Sequence, residues 1–287
     1  MIENVTIIGT GLIGTSVALA LRRAGYQGDI WGWDARTPAL AEALQCAPGM
    51  WPCGNSPSAV NPPDPGVVLL SGPVLSILDW MEKLAPVCGE DVLITDVGST
   101  KLDIVQAAER LYNQPGRARF LPGHPMAGKE SGGAALAEAS LFDDAMWLFT
   151  PVSQETEFEA EWRAWVGKFG ARTMDLDAAR HDRICAWVSH LPQMVSTAMS
   201  AMFADEFATE PELAAEFRAI GGRALREMTR LGASPYSMWR DVAFTNTEPL
   251  AATLYALEQR LAHLRENLKT AELREEFEKA NAFRRER

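Results

Sequence analysis

Hydrophobic positions change their rhythm partway along the chain. Up to about residue 176, short apolar runs alternate with stretches whose apolar residues recur at helical spacing. The runs predict strands at residues 5–8, 29–33, 67–70, 92–95, 119–121, 146–150 and 172–176. The periodic stretches predict helices at 12–24, 38–44, 74–84, 102–111 and 155–169. The first strands are apolar at consecutive positions, as strands covered on both faces are. This alternation predicts an α/β domain, a mostly parallel, doubly wound sheet with helices on both sides. Segment 61–65 (NPPDP) reads as a rigid loop within it.

From residue 177 the strand signal stops and helix follows helix, interrupted at Pro192, Pro211, Gly221 with Gly222, Gly232 with Pro235, and Pro249. Leu254, Leu257, Leu261 and Leu264 form an apolar stripe, and the charged tail reads as a solvated helix end. The expected layout is a Rossmann-type domain over residues 1–176 and an all-helical domain over residues 177–287. Long apolar helix faces need cover, and a second copy of the chain would supply it, so a homodimer is expected. Pro192 cannot donate to the carbonyl of Val188, so a kink is expected there, presenting His190 to the cleft between domains.

Charge and cysteine usage narrow the class. The net charge of −11 argues against a nucleic-acid partner. No apolar stretch reaches the roughly 18–20 residues a membrane span needs, and the first strand begins without a basic leader, so a soluble, cytoplasmic protein is expected. Cys46, Cys53, Cys88 and Cys185 are scattered, without a CxxC pair. Neither a zinc site nor a disulfide framework is expected, and free buried thiols suit a reducing compartment.

The first strand runs into Gly9-Thr10-Gly11-Leu12-Ile13-Gly14 and then a helix. This is GxGxxG in the context that gives it meaning: Gly9 for the tight turn, Gly11 for close approach of a pyrophosphate, Gly14 for helix packing on the strand. The backbone at Leu12 and Ile13 opens the helix, whose N-terminus attracts phosphate. Asp34 follows Gly14 by twenty residues, at the tip of the second strand, where a carboxylate binds ribose hydroxyls. It would repel a 2′-phosphate and so favours NAD; Arg36, two residues on, would pair with that phosphate and keeps NADP open. Ser71-Gly72-Pro73, after the third predicted strand, is a further cofactor loop.

Two later strand ends carry polar residues, Ser99 in DVGSTK and His124 in GHPMAGKESGG. With HDRICAWVSHLP (181–192) and EMTRLGASPYSMWRD (227–241), these segments resemble prephenate and arogenate dehydrogenases over nearly the whole chain. Neither a mutase segment ahead of the first strand nor a regulatory module after the helices is recognised, so a single-function member is expected. The resemblance implies NAD(P)-dependent oxidative decarboxylation of prephenate to 4-hydroxyphenylpyruvate in tyrosine biosynthesis, or of arogenate to tyrosine. In that chemistry hydride leaves the C4 carbon, the hydroxyl proton goes to a base, and the ring carboxylate leaves as CO2. No metal is needed.

The base implied is His124, with Ser99 orienting the hydroxyl. Arg230 matches the family's carboxylate-binding arginine, and a guanidinium can pair a carboxylate bidentately. Arg223, Arg226 and Arg230 fall at i, i+3 and i+7 and are expected on one helix face. By resemblance His190 binds substrate, Trp239 walls the site and Glu130 is a gating acid. Lys129 stands where the family often has a small hydroxyl residue. His181 and His263 receive no role. Rival two-domain dehydrogenases centre their acid–base work on a lysine of the helical domain, which the placement of Ser99 and His124 disfavours. A non-catalytic nucleotide sensor would have no use for His124, Ser99 and Arg230 together.

Overall fold

A computed structural model describes residues 1–54 and 66–286; the loop reading at 61–65 lies outside the described residues. The apolar runs become a six-stranded parallel sheet, ordered β3-β2-β1-β4-β5-β6. Its strands are β1 (Asn4–Ile8), β2 (Asp29–Trp33), β3 (Met50–Pro52), β4 (Gly66–Leu70), β5 (Val92–Asp96) and β6 (Arg119–Leu121). Every residue of β4 and β5 is buried, because helices cover both faces. On one side Val17 and Leu21 of α1 (Leu12–Arg23) pack with Ile7 and Leu69. On the other, Ile77, Met81 and Leu84 of α3 (Val74–Leu84) and Ile104 and Ala108 of α4 (Leu102–Leu111) pack with Ile8, Val68 and Ile94. The crossover from β2 to β3 is α2 (Thr37–Cys46).

The sequence predicts one sheet; the structure has two. The chain leaves β6 and at once enters β7 (Gly123–Pro125), which pairs antiparallel with β8 (Met146–Phe149). Parallel to β8 lies β9 (Arg172–Asp175), after α5 (Glu157–Lys168). A glycine–histidine–proline triplet lacks the β-branched run by which strands are recognised, so β7 reads as loop. Short β3 is also absent from the sequence reading.

Asp177 accepts the Arg180 N–H (2.8 Å) and caps α6 (Ala178–Cys185), the first helix of the second half. There follow α7 (Leu191–Glu206), α8 (Pro211–Ile220), α9 (Arg223–Thr229), α10 (Tyr236–Thr245), α11 (Thr247–Glu266) and α12 (Ala271–Arg285). The kink expected at Pro192 takes a different form. Residues Ala186–His190 make one π-helical turn, closed by the Leu191 N–H on the Ala186 carbonyl. Widening the helix accommodates the ring and missing N–H of Pro192 without breaking the rod.

The two halves meet through named polar contacts. Asp241 of α10 accepts the Leu75 N–H (3.2 Å) at the start of α3, and Thr100 and Thr245 share a 2.7 Å hydroxyl bond. Asp182 accepts the backbone N–H groups of Lys101 (2.7 Å) and Leu102 (2.9 Å), capping α4 from the helical half.

Candidate functional site

The sheet order reverses between β1 and β4, and the loops leaving these strands form a crevice at their carboxyl ends, where open α/β sheets bind ligands. Gly9 has φ +98°, a left-handed conformation, and a side chain there would collide with the Ser71 carbonyl. A side chain at Gly14 would strike the Gly9 carbonyl and Ile7, so α1 sits directly on the turn. Beside Gly11, by contrast, lies open space, with nothing within 4 Å of a Cβ built there. Gly11 is the N-cap of α1 and makes no side-chain cap, leaving the first N–H groups around Leu12 and Ile13 without one.

Asp34 closes the other side. One oxygen accepts the Thr10 N–H (3.0 Å), the other the Arg36 N–H (2.9 Å). The exposed Arg36 guanidinium lies 3.8 Å from the same carboxylate. In the facing loop Ser71 Oγ is buried without a hydrogen-bond partner, Gly72 is half-buried, and Pro73 is the N-cap of α3. A glycine-walled space, a helix N-terminus, a fixed carboxylate and an unpartnered hydroxyl fit the pyrophosphate and ribose of a dinucleotide.

Beyond the crevice stands a buried histidine pair. His124 lies within β7, and its Nδ1 is 2.9 Å from Nε2 of His181 on α6. Asp182 Oδ1 is 2.8 Å from His181 Nδ1. Cys185 Sγ lies 3.6 Å from His181 Nε2 and 3.9 Å from His124 Nδ1. The 2.9 Å separation of the two nitrogens is that of a hydrogen bond; two imidazoles on one tetrahedral zinc stand about 3.3 Å apart at Zn–N distances of about 2.0–2.1 Å. Burial, reinforced by coupling to the neighbouring His181, by the Lys101 charge and by His190, holds His124 well below the usual histidine range, so it is neutral at neutral pH. Burial also lowers His181, against the opposing effect of its hydrogen bond to Asp182. The Cys185 thiol is pushed up to about 12 by burial and the Asp182 charge and stays protonated.

A buried ion pair fixes the base of this cluster. Lys101 Nζ is 2.5 Å from Asp96 at the end of β5. Asp96 also accepts the N–H groups of Gly98 (2.7 Å) and Gly123 (3.1 Å), which ties β7 to β5 one residue before His124. Ser99 is half-buried in the turn between Asp96 and Lys101, with its backbone beside the His190 ring.

His190 ends the π turn and is fully buried. Its Nδ1 is 3.0 Å from the amide nitrogen of Asn246, which also donates to the Asp182 carbonyl (2.9 Å). Its Nε2 has no hydrogen-bond partner. Burial lowers its pKa to about 4, so it too is neutral. Trp239 meets the His190 ring edge-on, centroids 5.9 Å apart, and its indole N–H is likewise buried without a partner.

The expected arginine stripe is not one helix face. α9 ends at Thr229, and Arg230 opens a 3₁₀ turn (Arg230–Ala233). That turn is pinned to α7: Gln193 donates to the Leu231 carbonyl (2.7 Å), Ser196 accepts the Gly232 N–H (3.0 Å), and a side chain at Gly232 would hit Ser200. Pinning redirects Arg230, which bonds to Glu130, six residues past His124. Arg223 instead pairs with Glu227 (2.6 Å) and Arg226 is exposed. Lys129 pairs with Glu138 (2.6 Å), whose N–H donates to Ser16 of α1.

His181, Asp182, Lys101, Asp96 and Asn246 are therefore part of the cluster, and the sequence reading misses them all. The one local signal is His181-Asp182 with Cys185 one helical turn on, buried chemistry on one face of α6.

Two family models match the chain: the nucleotide-binding domain of prephenate dehydrogenase over residues 17–174, and its dimerization domain over residues 177–281. A prephenate dehydrogenase of Lactococcus lactis is 30% identical over 92% of this chain and 70% of its own length. Among solved structures, prephenate dehydrogenase from A. aeolicus in complex with hydroxyphenyl propionate and NAD+ superposes with TM-score 0.87 at 27% identity, covering 100% of this chain and 98% of that one. Synechocystis arogenate dehydrogenase gives 0.74 at 27% identity, with 99% of both chains covered.

Proposed function

From the chain's membership of the prephenate dehydrogenase family, we propose that it catalyses NAD-dependent oxidative decarboxylation of prephenate to 4-hydroxyphenylpyruvate on the route to tyrosine. The observation that carries this reading is a buried neutral imidazole, His124, on a strand that Asp96 ties to the sheet whose first loop makes the dinucleotide cradle. Bound there, oxidised nicotinamide supplies the hydride acceptor. Gly9, Gly11, Leu12, Ile13 and Gly14 take the pyrophosphate, Asp34 the ribose, and Ser71, Gly72 and Pro73 the facing side; the fixed Asp34 carboxylate supports NAD over NADP.

His124 then accepts the substrate hydroxyl through its free nitrogen, and Ser99 orients that hydroxyl. Arg230 holds a carboxylate, exchanging Glu130 for substrate. The unpartnered Nε2 of His190 and N–H of Trp239 supply polar contacts at the wall. The domain boundary falls between residues 176 and 177, supported by the end of β9 and the Asp177 cap. The chain works as a homodimer: Phe244, Tyr255, Leu261 and Phe277 are exposed on α10–α12, in the region matching the dimerization domain. It acts in the cytoplasm, a setting that its four cysteines, none of them in a disulfide, suit. No helix among the described residues is long and apolar enough to cross a membrane.

The test is direct. Purified protein with NAD is given prephenate or arogenate, and reduced nicotinamide is followed by absorbance. Turnover of prephenate is expected; faster turnover of arogenate would reassign the substrate, and none with either would end the proposal.

A further inference from the structure

An imidazole acts as a base only through the nitrogen that carries no hydrogen, and its neighbours decide which nitrogen that is. At His124 the neighbours form a chain that ends on a carboxylate. Both oxygens of Asp182 already accept backbone N–H groups, from Lys101 and from Leu102. An ionised carboxylate has no hydrogen to give, so at the 2.8 Å contact His181 Nδ1 is the donor. Neutral His181 then presents a lone pair at Nε2. Across the 2.9 Å contact His124 Nδ1 must therefore be the donor, and its Nε2 is left bare.

We propose that His181 and Asp182 are positioning residues that hold His124 in the Nδ1–H tautomer, keeping Nε2 available as the proton acceptor. This rests on the dehydrogenase reading above and adds residues to it. His124 Nε2 takes the proton from the hydroxyl oxygen as hydride leaves the carbon bearing that hydroxyl for the nicotinamide, and returns it to the phenolate oxygen once CO2 has gone. No proton is gained or lost overall. While His124 carries the extra proton, His181 accepts from its Nδ1–H and Asp182 steadies His181.

The groups around the pair suit this wiring. Cys185 is a neutral thiol, Lys101 is engaged by Asp96 and the Thr100 carbonyl, and His190 is tied to Asn246. None of them offers His124 Nδ1 a competing acceptor of the strength of His181. The wiring also joins the domains, since His124 belongs to the nucleotide half and His181 and Asp182 to the helical half. Docking of the halves thus sets the protonation pattern of the base.

The chain has four histidines, so selective ¹⁵N-histidine labelling gives a readable spectrum, with His124 assigned by its loss in His124→Asn. Long-range ¹⁵N–¹H correlations should show His124 and His181 both protonated at Nδ1 and bare at Nε2. His181→Leu, which removes the acceptor, should free His124 to adopt the Nε2–H form and lower kcat roughly 10²-fold or more, with KM changed less than about threefold. His181→Gln, whose amide oxygen can accept from His124, should retain at least about tenfold more kcat than the leucine variant. An Nε2–H tautomer in the unmodified protein overturns the proposal, and this measurement decides even if His181→Leu does not fold. So does a leucine variant with unchanged tautomer and kcat, or equal losses in both variants with the tautomer unchanged. Failure of the unmodified protein to oxidise prephenate or arogenate would instead strike the dehydrogenase reading, leaving the tautomer measurement to stand by itself.

Discussion

Replacing Lys101 by methionine probes the foundation of the histidine cluster. The change keeps most of the side-chain volume but removes the charge opposite Asp96, and both side chains are fully buried. Breaking a buried ion pair by deleting one partner costs about 3–5 kcal/mol, because the survivor is left uncompensated. Asp96 keeps two backbone N–H donors, from Gly98 and Gly123, which places the expected loss near the lower end, about 3 kcal/mol. At roughly 2–4 °C per kcal/mol for a domain of this size, Tm should fall by roughly 6–12 °C. Denaturant unfolding of the ligand-free protein measures the loss, and a double-mutant cycle with Asp96→Asn isolates the pair. Lys101 also helps hold His124 low, so the acid limb of kcat should move up in the variant. A stability loss and a coupling energy both below about 1 kcal/mol would refute the argument that this pair anchors the site.

Four other outcomes follow from the geometry. Because burial holds His124 well below 6.5 and the neutral ring is the active form, kcat should stay level as pH falls from neutral through 6.5 and drop only at more acid pH; a midpoint at 6.5 or above in the pH–kcat profile contradicts this. Stability has the same sign: His190, near 6.5 unfolded and about 4 folded, contributes stability that is complete above pH 6.5 and lost as pH falls toward 4. The loss is on the order of 3 kcal/mol, and a flat profile of urea midpoints between pH 7 and 4.5 would sink it. Asp34→Gly should weaken NAD by roughly tenfold and improve NADP through Arg36, read by cofactor titration. Finally, His124→Asn should cut kcat by roughly 10²–10⁴-fold, whereas Arg230→Gln should mainly raise KM for the dianionic substrate; steady-state kinetics showing the opposite split would reverse the two roles.

Local physics explains which parts of this molecule can be read from its residues. β2, α3 and α4 fall at the residues their patterns predict, because two-sided burial writes an uninterrupted apolar run and one-sided burial a helical stripe. The glycine fingerprint is equally local: turn, helix start and carboxylate all lie within 26 residues, from Gly9 to Asp34. What escapes is decided at long range. His124 and His181 are 57 positions apart, and nothing in either segment says that the other faces it. β7 becomes a strand only because β8 is there to pair with it. The arginine stripe fails because Gln193 and Ser196, more than thirty residues upstream, bend the chain at Arg230.

The π turn before Pro192 makes chain length itself an ingredient of the site. A regular helix advances each side chain by about 100°, and one surplus residue in the turn shifts everything downstream by that amount. His190 stands on the turn, and Gln193 and Ser196, which clamp the Arg230 loop, stand just after it. Two pieces of apparatus far apart in the chain are thus indexed to a single extra amino acid. Excising one residue between 186 and 190 would alter no catalytic side chain, yet it would rotate both pieces out of phase with the nucleotide half.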